Sequence, residues 1–497
     1  MNTAKPYKTV VGLEVHVQLK TETKLFCRCS THFGASPNTQ VCPVCIGLPG
    51  ALPVLNAKAI ELAVRAGIGL NSRIASFTKW DRKSYFYPDL PKGYQTSQFD
   101  LPICAGGYLE IDARDPATGE MVRKKIALVR AHLEEDAGKS MHDETAGRAD
   151  TRIDLNRAGT PLLEIVSEPE LSSAEEAKDY LTEMRLLMMY LDVTDGNMQE
   201  GSLRADANVN LHIERDGKTI ATPIVEIKNL NSFRAVERAV LYEASRQWDV
   251  FQETGLTIGQ SPKQTRGWND ATGQTEMQRE KEDSADYRYF PCPDLVPVTL
   301  KETDIEAARA AAVKTPAAIR KSMVEIHGLK ENEAEILVQQ GRRVVDYFEE
   351  LVHHGATAKR SASWMLQDVL RYLNENSAPI DDYPVPARAL AQLLLSIEMG
   401  KLDTSRGKEA LSKLLADTEM TVDQAIASLG IAQVDAGEFE AMCRQLLVEN
   451  PGVVEKVKAG NEKALASLVG QAKKMNKNAD PKRVQETCKK MIESGDI

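Results

Sequence analysis

No stretch of this 497-residue chain approaches the roughly 18 consecutive apolar residues that a membrane-spanning helix needs. Its opening, MNTAKPYKTV, lacks the apolar core of a secretory leader. Both absences point to a cytoplasmic protein with no membrane partner. Cysteine is sparse, and eight thiols in so long a chain exclude a disulfide-stapled secreted scaffold. Glycine is missing where the common nucleotide loops require it. Gly138-Lys139-Ser140 ends like a phosphate-cradling loop, but Leu133 stands where the first glycine must turn the chain. Gly67-x-Gly69 is followed by Ser72 rather than the third glycine of a dinucleotide fold. A Gly/Ser-rich run suited to amide hydrolysis is also lacking, as is a cysteine beside His and Asp partners, so amidase chemistry is not expected from this chain. The net charge of -10 disfavours nonspecific coating of nucleic acid and confines any such contact to a local basic patch.

The cysteines that are present are clustered. Cys27-x-Cys29 and Cys42-Pro-Val-Cys45 put four thiols in nineteen positions, the pair-and-pair spacing of a closed, structural zinc site. Cys104, Cys292, Cys443 and Cys488 stand singly and are expected to pack as small hydrophobes. Polar residues cluster too. Along residues 11–19 the alternation puts Glu14, His16 and Gln18 on one face of a strand and Leu13, Val15, Val17 and Leu19 on the other. The pattern recurs at 203–211, with Arg204, Asp206, Asn208 and Asn210 on one face, and at 224–228, with Ile224, Glu226 and Lys228. Several strands of one sheet would thus line an acidic hollow. With the run His132-Leu133-Glu134-Glu135-Asp136, these residues supply oxygen ligands for magnesium. Lys79, Arg82, Lys83 and Lys92, in KWDRKSYFYPDLPKGYQ, supply cations to neutralise a transferred phosphoryl group. That segment reads as an ordered loop.

The length predicts two to three domains. Up to about residue 290 strands and hairpins mix with helices at 56–70 and 173–191, with turns at Asp115-Pro116 through Gly119 and at Asp216-Gly217, which predicts an α+β domain on a largely antiparallel sheet. After Pro291, Pro293 and Pro297 the chain reads as wholly helical, with one apolar stripe over 332–354, a loop at 377–388 and a break near Asp403. Residues 403–455 hold 4 basic and 10 acidic side chains, and 456–490 hold 10 basic and 3 acidic, so the tail is electrically polarised.

The blocks VGLEVHVQL, LPGALPVLN, KWDRKSYFYPDLPKGYQ, HLEEDAGKS, LNRAGTPLLEIVSEPE, GNMQEGSLRADANVN, VEIKNLNSFRAVERA and DYRYFPCPDLVP resemble, in order, those of the B subunits of aspartyl/glutamyl-tRNA amidotransferases. The likeness covers essentially the whole chain, because NPGVVEKVKAGNEKALASLVGQ resembles the tail domain that ends these subunits. It implies a glutamine-synthetase/guanidino-kinase-like catalytic domain with the zinc site at 1–293, an all-α domain at 294–405 and a small helical tail domain at 406–497. It implies ATP and Mg2+ as catalytic cofactors and Zn2+ as a structural one. The activity implied is phosphorylation of the side-chain carboxylate of misacylated Glu-tRNA(Gln) and/or Asp-tRNA(Asn). Ammonia from a separate glutaminase (A) subunit, tied in by a small C subunit, would then form the amide.

Carried over by motif, His16 and Glu135 resemble magnesium ligands, joined by Asp206 and Glu226, with Glu14 and Glu134 close by and Arg204 as a phosphate clamp. Lys83 and Lys92 resemble residues near the ammonia route, and Cys27, Cys29, Cys42 and Cys45 match the zinc-bearing branch. Strict alternation from Ile126 conflicts with one of these, since it puts Glu134 on the face of Arg130 and His132 and Glu135 opposite. A strand ending near Leu133 would reconcile the two, and Glu135 is the expected ligand. The competing function is a noncatalytic zinc and tRNA-binding module, which would have no use for Glu14, His16, Asp206 and Glu226 together. A small-molecule carboxylate kinase would fit the same hollow but not the basic tail.

Overall fold

The computed structural model describes residues 6–114, 118–142, 151–281, 286–429, 436–459, 461–475, 479 and 481–495. It divides into two compact units, Met1–Ala317 and Ala318–Ile497. No helix among the described residues is long and apolar enough to cross a membrane.

The first unit is built on a 14-stranded sheet. Its central path runs Gln274–Lys281, Lys263–Asn269, Val225–Leu230, Leu203–Arg215, Lys8–Gln18, Pro161–Ser167, Met121–Glu135, Tyr94–Ser97, Asp81–Ser84 and Phe290–Pro291. Among the described residues, Val225–Leu230 and Lys263–Asn269 pair in parallel, and the other neighbours on the path are antiparallel. Alternation decides what each face does. Leu13, Val15, Val17, Leu163, Ile165, Ala205, Ala207 and Val209 are each at most 2% exposed and share one core with helices Ala57–Gly69, Ala174–Tyr190 and Phe233–Thr254. The opposite face of the same strands is thereby left to the polar residues.

Local chemistry sets the helix ends. Ser173 and Ser232 accept hydrogen bonds from the Glu176 and Ala235 amides, and Glu175 and Glu176 fall in the first turn, where the helix dipole favours them. The stripe Ala177, Tyr180, Leu181, Met184 and Leu187 is core. Gly67 and Gly69 serve packing rather than a nucleotide loop. A Cβ at Gly67 would lie 2.4 Å from Cys104 Sγ and 2.7 Å from Ile74 Cδ1, and one at Gly69 would lie 2.4 Å from Leu191 Cδ1. Gly67→Ala is therefore expected to destabilise the first unit by roughly 1–3 kcal/mol through overpacking, as a lower urea midpoint. An unchanged midpoint would mean that Cys104 and Ile74 yield without cost. Gly138-Lys139-Ser140 leads into the strand Lys139–His142, not into a helix N-terminus, consistent with the absence of a phosphate loop.

Several local expectations need correction. The strand Met121–Glu135 does not end near Leu133, because Glu134 pairs with Leu162 and Glu135 with Pro161. KWDRKSYFYPDLPKGYQ is not simply a loop, since its Asp81–Ser84 pairs with Tyr94–Ser97, a strand that begins within it. The chain beyond Pro297 is not wholly helical, as Val298–Thr299 pairs with Phe77–Thr78. The 332–354 stripe is two helices, Glu331–Gln339 and Arg342–His353, broken where Gly341 takes a φ of +100°. The turn at Asp216-Gly217 forms with both residues at positive φ, as a two-residue hairpin demands. Of the turn at Asp115 through Gly119, residues 115–117 lie outside the described residues.

Helix Glu302–Ala310 packs on Ala57–Gly69 and buries Ile305 in the first unit's core. In the second unit, Phe439 through Ile492 bury a separate small core that includes Cys443 and Cys488.

Candidate active site

Strand register assembles the polar face. Lys8–Gln18 lies between two strands, setting His16 opposite Glu164 on one side and Arg204 on the other, with Glu14 opposite Asp206. Glu164 in turn faces His132. Directly opposed residues of antiparallel strands share a face, so acids and imidazoles more than 100 residues apart in sequence meet. Two triads result, Glu14–His16–Glu164 and His132–Glu134–Glu164, each with its ligand atoms within 4.8 Å of one another, and Glu164 is common to both. His16 Nε2 lies 3.4 Å from Glu164 Oε2 and 3.6 Å from Glu14 Oε1. His132 Nε2 lies 3.9 Å from both Glu134 Oε2 and Glu164 Oε1.

Crowding these groups away from water shifts their protonation. Burial, followed by the charge of Glu164, raises Glu14 to about 7 and Glu134 to about 8. Burial disfavours a charged His16, but the hydrogen bond and charge of Glu164 outweigh it and raise His16 to about 9. His132 is buried more decisively and falls to about 4. Glu164 is pulled below the ordinary carboxylate range, its burial overcome by the two histidines and Lys83. The hollow thus holds shared protons among carboxylates, an arrangement that a divalent cation can replace. Among the described residues, two buried atoms on this face, His132 Nδ1 and Asn208 Oδ1, have no hydrogen-bond partner, and the oxygen-rich donors suit a hard cation.

The remaining predicted residues surround the triads as ion pairs. Lys228 Nζ lies 2.5 Å from Asp206 Oδ2 and 3.2 Å from Glu226 Oε1, and Glu226 Oε2 also accepts from Thr265 Oγ1 at 2.9 Å. Arg204 donates to Asp136 Oδ2 at 2.8 Å, an atom that Gln18 Nε2 approaches to 2.7 Å. Lys83 sits over the Tyr287 and Tyr85 rings at 5.1 and 5.9 Å, and its ammonium is stabilised against burial chiefly by Glu134. Glu135 accepts from Lys92 Nζ and, at 3.3 Å, from the Thr96 amide. The triads therefore contain Glu14, His16 and Glu134, while Glu135, Asp206 and Glu226 are held by lysines. Glu164 was missed in the sequence, although a signal was there, since it is the one charged residue in the strand PLLEIVS.

The four clustered cysteines also converge, their sulfurs all within 4.8 Å of one another. Cys42 and Cys45 Sγ are 3.9 Å apart, against the roughly 3.8 Å edge of a tetrahedron with zinc–sulfur bonds of roughly 2.3 Å. The donor set fits zinc.

The chain matches the GatB/GatE catalytic domain family over residues 9–306 and the GatB domain family over 346–492. It is 57% identical over 481 residues to the B subunit of the aspartyl/glutamyl-tRNA(Asn/Gln) amidotransferase of Rhodopirellula baltica, covering 97% of this chain and 96% of the relative. The proteins of the same name in Thermoanaerobacter pseudethanolicus and Geobacter sulfurreducens are each 43% identical, over 98% of this chain and 99% of theirs. With likeness of this extent along both units, the chain belongs to the family of aspartyl/glutamyl-tRNA(Asn/Gln) amidotransferase B subunits.

Proposed function

We propose that the acidic hollow phosphorylates the side-chain carboxylate of glutamate or aspartate esterified to the wrong tRNA, as the ligase subunit of a tRNA-dependent amidotransferase. The observation that carries this reading is the pair of triads sharing Glu164 on one sheet face, ringed by Arg204, Lys228 and Lys83. A carboxylate resists ammonia. A bond from its oxygen to the γ-phosphorus of ATP, with release of ADP, makes an acyl phosphate whose carbon ammonia attacks, expelling phosphate. Magnesium, when bound, neutralises charge on the transferred phosphoryl group. Glu14, His16, Glu134 and Glu164 would hold it, with Glu135, Asp206 and Glu226 beside them as further oxygen donors. Arg204, oriented by Asp136, would clamp phosphate. Lys83 and Lys92 would lie near the route of ammonia.

In this reading Cys27, Cys29, Cys42 and Cys45 hold a structural zinc, and the first domain is of the glutamine-synthetase/guanidino-kinase type, followed by helical and tail domains. The setting is cytoplasmic, and the partners are an amidase subunit, a small third subunit and misacylated tRNA(Gln) or tRNA(Asn). The test is ADP formation by the assembled complex without an ammonia donor. It should require Glu-tRNA(Gln) or Asp-tRNA(Asn). ATP turnover indifferent to the charged tRNA would remove the kinase role and leave a tRNA-binding module.

The tail is read as the tRNA grip because of its positive charge after Lys456 and its self-contained core. Deleting residues 436–497 is expected to weaken tRNA binding by roughly tenfold or more and to flatten its salt dependence. Equal affinity of the truncated and full chains in a filter-binding titration would count against that role.

A further inference from the structure

Lys24 is fully buried, yet among the described residues no carboxylate pairs with it. Its ammonium reaches the Gln40 carbonyl at 2.7 Å, the Leu155 carbonyl at 3.3 Å and Cys45 Sγ at 3.7 Å. A buried cation needs a negative partner, and four thiolates around Zn2+ carry a net charge of minus two. The surroundings extend that pairing toward the hollow. Gly159 donates its amide to the Asp136 carbonyl and accepts from the Leu25 amide, both at 2.9 Å, tying the segment beside Lys24 to the end of strand Met121–Glu135. A Cβ at Gly159 would lie 3.6 Å from each of Cys45 Cβ, Lys24 Cδ and Glu135 Oε1, so the three meet across one glycine. On the other side, Gly47, two residues after Cys45, lies so close to Lys92 that a Cβ there would stand 2.7 Å from Lys92 Cγ. Lys92 Nζ closes the circuit by donating to Glu135 Oε2.

We propose that the four-cysteine knuckle, Lys24 and the Lys92–Glu135 ion pair form one electrostatic unit, in which Lys24 and Lys92 favour zinc, Glu135 opposes it, and the zinc-bound knuckle holds Lys92 and Glu135 in place at the hollow. This coupling rests on the zinc reading of the cysteines and is independent of the reaction. Its physical origin is that a zinc held by four thiolates places two net negative charges beside these groups. Cations close by stabilise that state and an anion destabilises it. Because coupling free energies are reciprocal, whatever holds Lys92 and Glu135 together also acts on the metal.

The test is competition for zinc between the full chain and a chromophoric chelator, at fixed pH and without tRNA or ATP. The unaltered chain should hold one zinc. If it holds none, the zinc reading itself fails, and the coupling with it. Lys24→Met should weaken zinc binding by roughly 10- to 100-fold, as outer-shell partners of metal ligands do, and Lys24→Arg should recover much of the loss. Lys92→Met, whose side chain touches no thiol, should weaken it by roughly 3- to 10-fold, and adding Glu135→Gln should return it to within about twofold of the original. A chain that binds zinc normally while Lys92→Met alone leaves its affinity unchanged overturns the coupling. That variant decides the matter even if Lys24→Met does not fold.

Discussion

Glu164→Gln is expected to lower tRNA-dependent ATP turnover and amide formation by roughly a thousandfold, while glutamine hydrolysis by the assembled complex persists. Glu164 is the one side chain shared by both triads. The substitution keeps its shape and removes its charge, so a cation or phosphoryl group in the hollow loses an anionic ligand at the centre rather than at the rim. His16→Ala should act comparably, because it removes an imidazole that contacts both Glu14 and Glu164. Glu134→Gln and Glu135→Gln separate the two neighbours. Glu134 belongs to a triad, so its loss should fall on magnesium dependence. Glu135 is bound by Lys92, so its loss should free that cation and shift the requirement for ammonia. Turnover near the normal rate in both Glu164→Gln and His16→Ala would end the case for this metal site, whatever the family of the chain. Intact glutaminase activity in the same preparations would show that the subunit still assembles.

The second large effect concerns pH and stability. Without divalent cations, the melting temperature of the first unit should fall by roughly 5 °C between pH 7 and pH 9. His16 at about 9 and Glu134 at about 8 keep protons in the folded state that the unfolded chain, with values of 6.5 and 4.5, has already lost. The native state therefore binds more protons over this window, and stability declines as pH rises through the folded values. His132, lowered to about 4, works in the other direction. Below pH 6.5 the unfolded imidazole gains a proton that the buried one refuses, which offsets part of the stability that Glu14 and Glu134 continue to add as pH falls toward their unfolded value of 4.5. Magnesium should flatten the alkaline limb by replacing the protons it competes with, stabilising the chain more at pH 9 than at pH 7. His16→Ala and Glu134→Gln should each flatten it without metal. Scanning calorimetry across this range, with and without magnesium, reads all of these. A melting temperature independent of pH between 7 and 9 in the unaltered chain would refute the proton sharing.

What the sequence by itself determined was what each strand carries on each face. The period of two along Lys8–Gln18 and Leu203–Arg215 separates Leu13, Val15 and Val17 from Glu14 and His16, and Ala205 and Ala207 from Arg204 and Asp206, because alternation is a property of the backbone that needs no neighbour. The helix start at Ser173 and the spacing of the four cysteines are local in the same sense. The tertiary structure alone decided which strands adjoin. Glu164 comes from a strand that reads as an ordinary apolar run, and it meets His16 and His132 only because burying Leu163 and Ile165 under the helices sets Pro161–Ser167 between Lys8–Gln18 and Met121–Glu135. Register also put Glu134 in a triad and left Glu135 on Lys92, and burial made Lys24 a partner of the cysteines. Pairing between segments distant in sequence is chosen by the fit of whole faces, which no local pattern encodes.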